Sequence, residues 1–246
     1  MTKVKTNFSG QTVFVGMDIH KNSWNLGIHL NEYFIRNVHQ KPNPHLLAAY
    51  LRQQYPGASY KAAYEAGKFG FWIQRQLTAL GIECIVVNPA DIPRSQKDTL
   101  QKTDPRDARN LGLRLQSGVL HGIHIPDEQQ EADRVLFRHR KRIWKDLTRC
   151  KNRIKGLLAF SGIDIPEAYD NASWSHNFMN WLKLLDCMQC SRRQALDYMI
   201  KQMEFLRREL LDISNAIRKM MREQRYKTNY YLLRSIPGIG PLTAAS

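Results

Sequence analysis

Three β-prone runs near the N-terminus are the feature that most constrains the fold of this chain. They lie at 12–18, 24–30 and 33–38, and turn-forming residues separate them, which predicts a three-stranded antiparallel meander. The sequence then alternates a helix, a strand, a helix and a buried strand that is closed by Pro89, and a final helix follows. This order predicts a mixed α/β sheet covered by helices.

The pattern changes after residue 126. Apolar residues from Leu136 to Leu157 recur at spacings of 7, 4, 3, 4 and 3, and those from Met199 to Met220 alternate spacings of 4 and 3. Such spacing is typical of a coiled coil. It predicts two long helices that pack on each other or on a second subunit.

Near the C-terminus, the sequence IPGIG follows a predicted helix. One interpretation is the hairpin of a helix-hairpin-helix, in which the backbone N–H groups of Gly238 and Gly240 contact a nucleic-acid phosphate. The other is an ordinary turn between helices.

Charge favours a nucleic acid as the partner. The chain has 37 Lys and Arg against 22 Asp and Glu, a net charge of +15, and residues 134–155 hold ten basic and one acidic side chain. An acidic membrane surface is the competing partner, and a merely solvated coiled-coil exterior is the other interpretation of 134–155. We favour phosphate contacts, and we predict Trp144 to pack between helices rather than on a base. The predicted contacts are made by Arg138, Lys141, Arg142, Lys145, Arg149 and Arg153.

Several classes of protein are disfavoured. No apolar run of about 18 residues occurs and the N-terminus lacks a signal-peptide pattern, so we expect a soluble cytoplasmic protein with reduced cysteines. One CxxC pair without a matching second pair makes a zinc site improbable. No nucleotide-binding glycine loop is present, so no nucleotide cofactor is expected.

Four acidic residues stand at positions that the predicted fold can bring together. Asp18 ends the first strand and Glu65 ends the fourth, which can neighbour the first; Asp104 and Asp107 lie three residues apart on the closing helix, on one face. Helix capping and the helix dipole could explain Asp104, and Asp107 could be a solvated surface charge.

Four carboxylates in one cleft repel each other strongly and are tolerated with bound cations. Oxygen ligands favour Mg²⁺ or Mn²⁺, and two such ions about 4 Å apart perform in-line phosphoryl transfer. Lys21, close to Asp18, is a candidate contact to the scissile phosphate. His20 has a functional interpretation and a structural one, as a packed or exposed side chain.

The ordered set GMD, YEAG, VVNP, KTDPRDA and IPGIGPLTAAS resembles the DEDD insertion-sequence transposases, which are also described as bridge-RNA-guided recombinases. The resemblance covers nearly the whole chain and implies an RNase H/RuvC-like fold. It places the carboxylate motif, as catalytic and metal-binding residues, on Asp18, Glu65, Asp104 and Asp107.

The same resemblance implies a nucleophilic serine after the PGIG turn. This position corresponds to Ser246, with Ser95 and Ser235 as weaker candidates. It also implies donor and target DNA, a structured guide RNA and a tetrameric assembly, and we expect self-association to a dimer or tetramer.

We therefore predict a RuvC-like DEDD catalytic domain at 1–126, a coiled-coil domain at 127–226 and the beginning of a C-terminal transposase domain at 227–246. The last domain is shorter than in the family, which predicts either a piece of a longer protein or a natural truncation. Two rival functions stay open at this point. One is a RuvC-like nuclease or junction resolvase that uses water, and the other is a non-catalytic RNA- or DNA-binding protein.

Overall fold

A computed structural model describes residues 7–92, 104–169, 174–186 and 189–245. The chain divides into two compact units, Met1–Ile125 and Pro126–Ser246. The further boundary between 226 and 227 stays a prediction. Within the described ranges, no helix combines the length and the apolar character that crossing a membrane requires.

The first unit is built on a five-stranded mixed sheet. In chain order, its elements are β1 Thr12–Ile19, β2 Trp24–Leu30, β3 Tyr33–Gln40, α1 Pro44–Gln54, β4 Ser59–Glu65, α2 Trp72–Ala79, β5 Glu83–Val87, a 3₁₀ turn Pro89–Asp91 and α3 Asp104–Gln116. The strand order is β3-β2-β1-β4-β5. The pairs β3-β2 and β2-β1 are antiparallel, whereas β1-β4 and β4-β5 are parallel. The predicted meander and the RNase H/RuvC-like mixed sheet are confirmed.

The two faces of this sheet are covered differently. Helices α1 and α2 bury apolar residues such as Leu47 and Leu77 against alternate residues of β1, including Val15 and Met17. Their packing forms the larger core of the unit. The opposite face carries α3, whose Leu111 packs in a smaller apolar cluster with residues of β4 and β5. Because side chains alternate between the faces of a strand, every second residue of β1 and β4 points towards α3.

The second unit is helical. Its helices are α4 Glu128–Phe160, α5 His176–Leu184, α6 Cys190–Met220 and α7 Gln224–Arg234, with a 3₁₀ turn at Glu167–Tyr169. Asp127 begins α4 as an N-cap, since its carboxylate accepts a hydrogen bond from the Gln130 amide at 2.9 Å. The helical segment that follows the sheet in the predicted fold is confirmed.

The two long helices pack on each other within the chain and run antiparallel. Near one end of the pair, Arg140 of α4 donates to Ser214 of α6 at 2.9 Å; further along, the Cys150 thiol lies 3.4 Å from the Met199 carbonyl oxygen. Ile154 and Met203 are buried in their shared core. Of the two arrangements predicted from the sequence, packing of the long helices on each other is therefore the one observed for this pair. Trp144 does not enter the interface: it is 52% exposed, so the prediction that it packs between helices is wrong.

Candidate metal centre

Strands β1 and β4 carry Asp18 and Glu65 to the same edge of the sheet. The strands are parallel neighbours, and Met17 lies opposite Tyr64 in their register. Each acidic residue immediately follows one of these partners, so both carboxylates stand at the carboxyl ends of adjacent strands. Met17 and Tyr64 are buried in the core formed with α1 and α2. By strand alternation, Asp18 and Glu65 point to the face that carries α3.

Helix α3 lies very close to this face of the sheet because the strand residues beneath it, Gly16 and Gly27, are glycines. We name this pair the glycine floor. Gly16 of β1 and Gly27 of β2 are register partners. A Cβ at Gly16 would lie 2.1 Å from the Ala108 carbonyl oxygen and 2.1 Å from the Gly112 nitrogen, and a Cβ at Gly27 would meet the helix backbone at 2.5 Å. The helix therefore rests on strand backbone, a contact that glycine alone permits.

A second contact fixes the middle of α3. The buried His29 of β2 donates from Nε2 to the Arg109 carbonyl oxygen at 3.1 Å, and the Arg109 guanidinium lies 4.2 Å from the centre of the Phe34 ring. Burial lowers the pKa of His29, which favours the neutral imidazole that makes this bond. Helix α3 is thus fixed to both β2 and β3.

These contacts place the first turn of α3 beside the ends of β1 and β4. A cleft of about 270 Å³ lies there, and all four predicted carboxylates line it: Asp18, Glu65, Asp104 and Asp107. The structure therefore brings together acidic residues from two strands and one helix. The remaining residues that line the cleft are Met17, Ile19, His20, Ala66, Gly67, Lys68, Phe69 and Leu111.

Three side chains in the cleft present potential ligand atoms to one point. His20 Nε2 lies 3.1 Å from an Asp18 oxygen and 3.4 Å from an Asp104 oxygen. The candidate ligand atoms of these three residues all lie within 4.8 Å of one another. Among the described residues, this group could hold a metal ion, and Glu65 and Asp107 extend the acidic lining around it.

The electrostatics of the cleft favour a bound cation. Burial raises the pKa of Asp18; His20 opposes this shift, and the charges of Asp104 and Asp107 add to it. A raised carboxyl pKa means that negative charge is costly at this position. A divalent cation would offset that cost, and oxygen-rich donor sets suit Mg²⁺ and Mn²⁺. The residues present therefore fit a divalent metal, which the four carboxylates would hold.

The other predicted site residues lie elsewhere. Lys21 is exposed in the turn between β1 and β2 and is not among the described residues that line the cleft. Gly238, with φ of +88°, and Gly240 lie in the turn after α7, and a Cβ at either would have no atom within 4 Å. Ser235 is exposed at the end of α7, whereas Ser246 and Ser95 lie outside the described residues.

The predicted phosphate-binding side chains form an exposed stripe along α4. At 100° per residue, they fall within about 120° of the helix surface, on the side away from the buried Ile143, Leu147 and Cys150. We name this set the basic stripe. Its members are Arg138, Lys141, Arg142, Lys145, Arg149 and Arg153, all of them exposed. Arg149 also pairs with Asp146 at 2.9 Å.

Sequence reasoning missed two parts of this site. Lys68 lines the cleft three residues after Glu65, and its position directly after YEAG was an available signal. The glycine floor was the second: Gly16 and Gly27 interrupt strand patterns, and Gly112 lies within a helix pattern. Glycine inside a strand signals the close approach of another backbone, which is its role here.

Comparisons with known proteins identify the family of this chain. The model of the IS110-type DEDD family, described as transposase, matches residues 15–162, which is more than half of the chain. The chain is 26% identical over 237 residues to the transposase for insertion sequence element IS1533 of Leptospira borgpetersenii, covering 94% of this chain and 67% of that protein.

Two proteins of Sinorhizobium fredii (strain NBRC 101917 / NGR234) match shorter segments. The y4qE protein is 36% identical over 120 residues, or 49% of this chain and 30% of its own length. The y4rJ protein is 40% identical over 105 residues, or 40% of this chain and 26% of its own length. This chain thus spans about a third or less of these two relatives and about two thirds of the IS1533 transposase.

The family match includes most of β1, β2 to β5, α3 and all of α4, and therefore every described residue of the acidic cleft. The RuvC-like sheet and the converging carboxylates are the features that the motif-based resemblance predicts. The chain belongs to the IS110-type family of DEDD transposases.

Proposed function

We propose that this protein catalyses divalent-metal-dependent cleavage and exchange of DNA strands for an insertion sequence. The observation that carries the proposal is the convergence of Asp18, Glu65, Asp104 and Asp107 on one cleft. The proposed cofactor is Mg²⁺ or Mn²⁺, as two ions. When bound, such ions activate a nucleophile and stabilise the departing oxyanion in phosphoryl transfer.

The four carboxylates divide between the two ions in this proposal. Asp18 and Asp104, whose oxygens lie near the same His20 nitrogen, hold one ion between strand and helix. Glu65 and Asp107 line the rest of the cleft and hold the second. Lys68 lines the same cleft and is exposed, and its charge favours the phosphate of an approaching strand.

The proposed nucleophile is a serine hydroxyl. Its oxygen attacks the phosphorus of a phosphodiester, a serine–phosphate bond forms, and the bond to the departing sugar oxygen breaks, with a proton passing from the serine to the sugar. The resemblance to the family supports Ser246 for this part. Strand exchange reverses the step when a different sugar hydroxyl attacks the phosphoserine.

The proposed partners are donor and target DNA and a structured guide RNA, bound by a dimer or tetramer. The basic stripe on α4 supports a nucleic-acid partner, because its six exposed cations follow one side of a helix of 33 residues. At 1.5 Å per residue, the stripe extends over about 22 Å, which matches several phosphates of a duplex.

A covalent-adduct assay tests the nucleophile. The protein is incubated with labelled DNA from the end of its element, RNA transcribed from the flanking region, and Mn²⁺, and DNA-linked protein is resolved on a denaturing gel. We expect an adduct that Ser246→Ala abolishes and that the matched variant Ser235→Ala retains. Adduct that survives Ser246→Ala would reject this serine.

Neutralising the basic stripe is expected to weaken DNA binding. Each lost phosphate contact flattens the plot of log affinity against log salt by about 0.9 and lowers affinity about tenfold near 0.1 M salt. Arg142→Gln combined with Lys145→Gln should therefore flatten the slope by nearly 2. Fluorescence anisotropy at several salt concentrations measures both quantities.

The matched control removes the same charge from another helix. Lys201→Gln combined with Lys219→Gln neutralises two exposed lysines on α6, outside the basic stripe. We expect this variant to bind with the wild-type salt slope. An unchanged slope in the Arg142 and Lys145 variant would remove α4 from the interface.

A RuvC-like nuclease that uses water is the second candidate. It is favoured by the acidic cleft itself, where bound metal ions would activate a water molecule without any serine. In the adduct assay, this enzyme would cut the DNA with Mn²⁺ and release ends free of protein.

A further inference from the structure

We propose that His20 is a metal ligand of the acidic cleft and that its imidazole nitrogen gives the site a preference for Mn²⁺ over Mg²⁺. The inference rests on the proposed function, because it requires Asp18 and Asp104 to bind the ion. It adds a nitrogen donor to a site otherwise composed of carboxylates.

The distances around His20 are those of ligands that share one ion. Two ligand atoms at about 2.1 Å from a metal lie about 3.0 Å apart at a right angle and about 3.4 Å apart at a tetrahedral angle. His20 Nε2 is 3.1 Å from Asp18 Oδ2 and 3.4 Å from Asp104 Oδ2. His20 Nε2 therefore lies at ligand spacing from both carboxylates, and the candidate ligand atoms of the three residues all lie within 4.8 Å of one another.

The position of His20 favours a ligand over a local ion pair. An imidazole that only formed an ion pair with Asp18 would need to contact that residue alone. One nitrogen of His20 instead faces carboxylates from both β1 and α3. The His20 amide donates to the Ser23 carbonyl oxygen at 3.0 Å, which closes the turn after β1 and fixes the backbone. The side chain is about half exposed, so an ion can reach it.

The chemical type of the donor atom determines which ion the site binds more tightly. Mg²⁺ binds oxygen ligands and retains much of its water. Mn²⁺ also prefers oxygen ligands, but as a first-row transition metal ion it accepts an imidazole nitrogen more readily than Mg²⁺ does. Replacing one oxygen or water ligand by imidazole therefore stabilises bound Mn²⁺ more than bound Mg²⁺. A cleft of carboxylates alone would discriminate less between the two ions.

Pulsed electron paramagnetic resonance of bound Mn²⁺ tests the ligand directly. A coordinated imidazole imposes a ¹⁴N modulation on the Mn²⁺ signal, and protein grown with ¹⁵N-histidine should give the ¹⁵N pattern instead. This measurement uses the wild-type chain, so it does not depend on the folding of a variant. We expect both signals in the absence of nucleic acid.

Titration calorimetry with Mn²⁺ and Mg²⁺ tests the selectivity. His20→Gln should weaken Mn²⁺ binding by about tenfold or more and Mg²⁺ binding by a much smaller factor, and it should remove the nitrogen modulation. His45→Gln is the matched control, since His45 is exposed on α1 and does not line the cleft. It should bind both ions as the wild type does.

Two outcomes overturn the inference in distinguishable ways. In the first, Asp18→Asn abolishes binding of both ions, but Mn²⁺ bound to the wild type shows no histidine modulation, or His20→Gln keeps the wild-type ratio of Mn²⁺ to Mg²⁺ affinity. His20 is then not a ligand, and the carboxylate site stands. If both ions bind Asp18→Asn with wild-type affinity, the proposed metal centre fails and the inference fails with it.

Discussion

Asp18→Asn is expected to lower metal-dependent DNA cleavage by at least about a thousandfold. Metal ions contribute several kcal/mol of transition-state stabilisation to phosphoryl transfer, and about 4 kcal/mol corresponds to a factor of 10³. Asparagine keeps the size of the side chain but supplies a weaker, neutral ligand. The measurement is the initial rate of cleavage of labelled DNA at saturating Mn²⁺, with Asp104→Asn expected to behave in the same way.

Thermal unfolding of the metal-free protein provides the control for folding. The pKa of Asp18 is raised in the folded state, so its ionised form opposes folding near neutral pH, and this cost is relieved as the pH falls through the folded pKa. A neutral asparagine removes the cost at every pH. The melting temperature of Asp18→Asn should therefore equal or exceed that of the wild type.

These two measurements separate chemistry from structure. Lost cleavage with unchanged or raised stability assigns Asp18 to the reaction. Wild-type cleavage by both Asp18→Asn and Asp104→Asn would refute the metal-dependent proposal. Lost cleavage together with a strongly lowered melting temperature would assign Asp18 a structural role instead.

Gly16→Ala is expected to lower the free energy of unfolding of the first unit by about 3 kcal/mol or more. The new Cβ would lie 2.1 Å from two backbone atoms of α3, so no side-chain rotation can relieve the clash. Overpacking of this kind costs about 1–3 kcal/mol where the surroundings can adjust, and more where they cannot. Urea unfolding followed by circular dichroism measures the loss.

Gly156→Ala supplies a matched substitution with the opposite sign. Gly156 lies within α4, and a Cβ there would have no atom within 4 Å. Alanine is favoured over glycine in a helix by about 0.5–1 kcal/mol, so this variant should be more stable than the wild type. Wild-type stability of Gly16→Ala would contradict the close approach of α3 to the sheet.

Much of the first unit could be predicted because its signals are local. Turn-forming residues delimit the strands, and the alternation of helices with β4 and β5 indicates a mixed sheet. The acidic residues were found for the same reason: Asp18 and Glu65 end strands, and the carboxyl ends of parallel neighbours meet at one edge. Motifs then supplied the family resemblance, which the family match confirms.

The glycine floor could not be derived in the same way. A glycine within a strand indicates that something approaches closely, but the pattern does not say which element does so. The pairing of Gly16 with Gly27 and their contact with α3 depend on three separate segments. The position of His20 between two carboxylates depends on the same tertiary contact.

The region between the long helices was obscure for a different reason. Residues 161–190 lack a long periodic pattern, because α5 has only nine residues and buries Phe178, Met179 and Leu182 against two other helices. A short helix of this kind is stabilised mainly by its neighbours. The exposure of Trp144 was missed because large aromatic side chains are usually buried more deeply than this one.

The floor beneath α3 limits how this protein can be redesigned. Protein cores usually accommodate a substitution through small shifts of side chains. Between α3 and the strand backbone at the glycine floor there are no side chains that could shift in this way. Tuning ion affinity from beneath the helix would therefore disturb the whole unit. The turn at residues 20–23 is the better place to change ion affinity, because it is accessible from solvent and can be varied while the glycine floor is left intact.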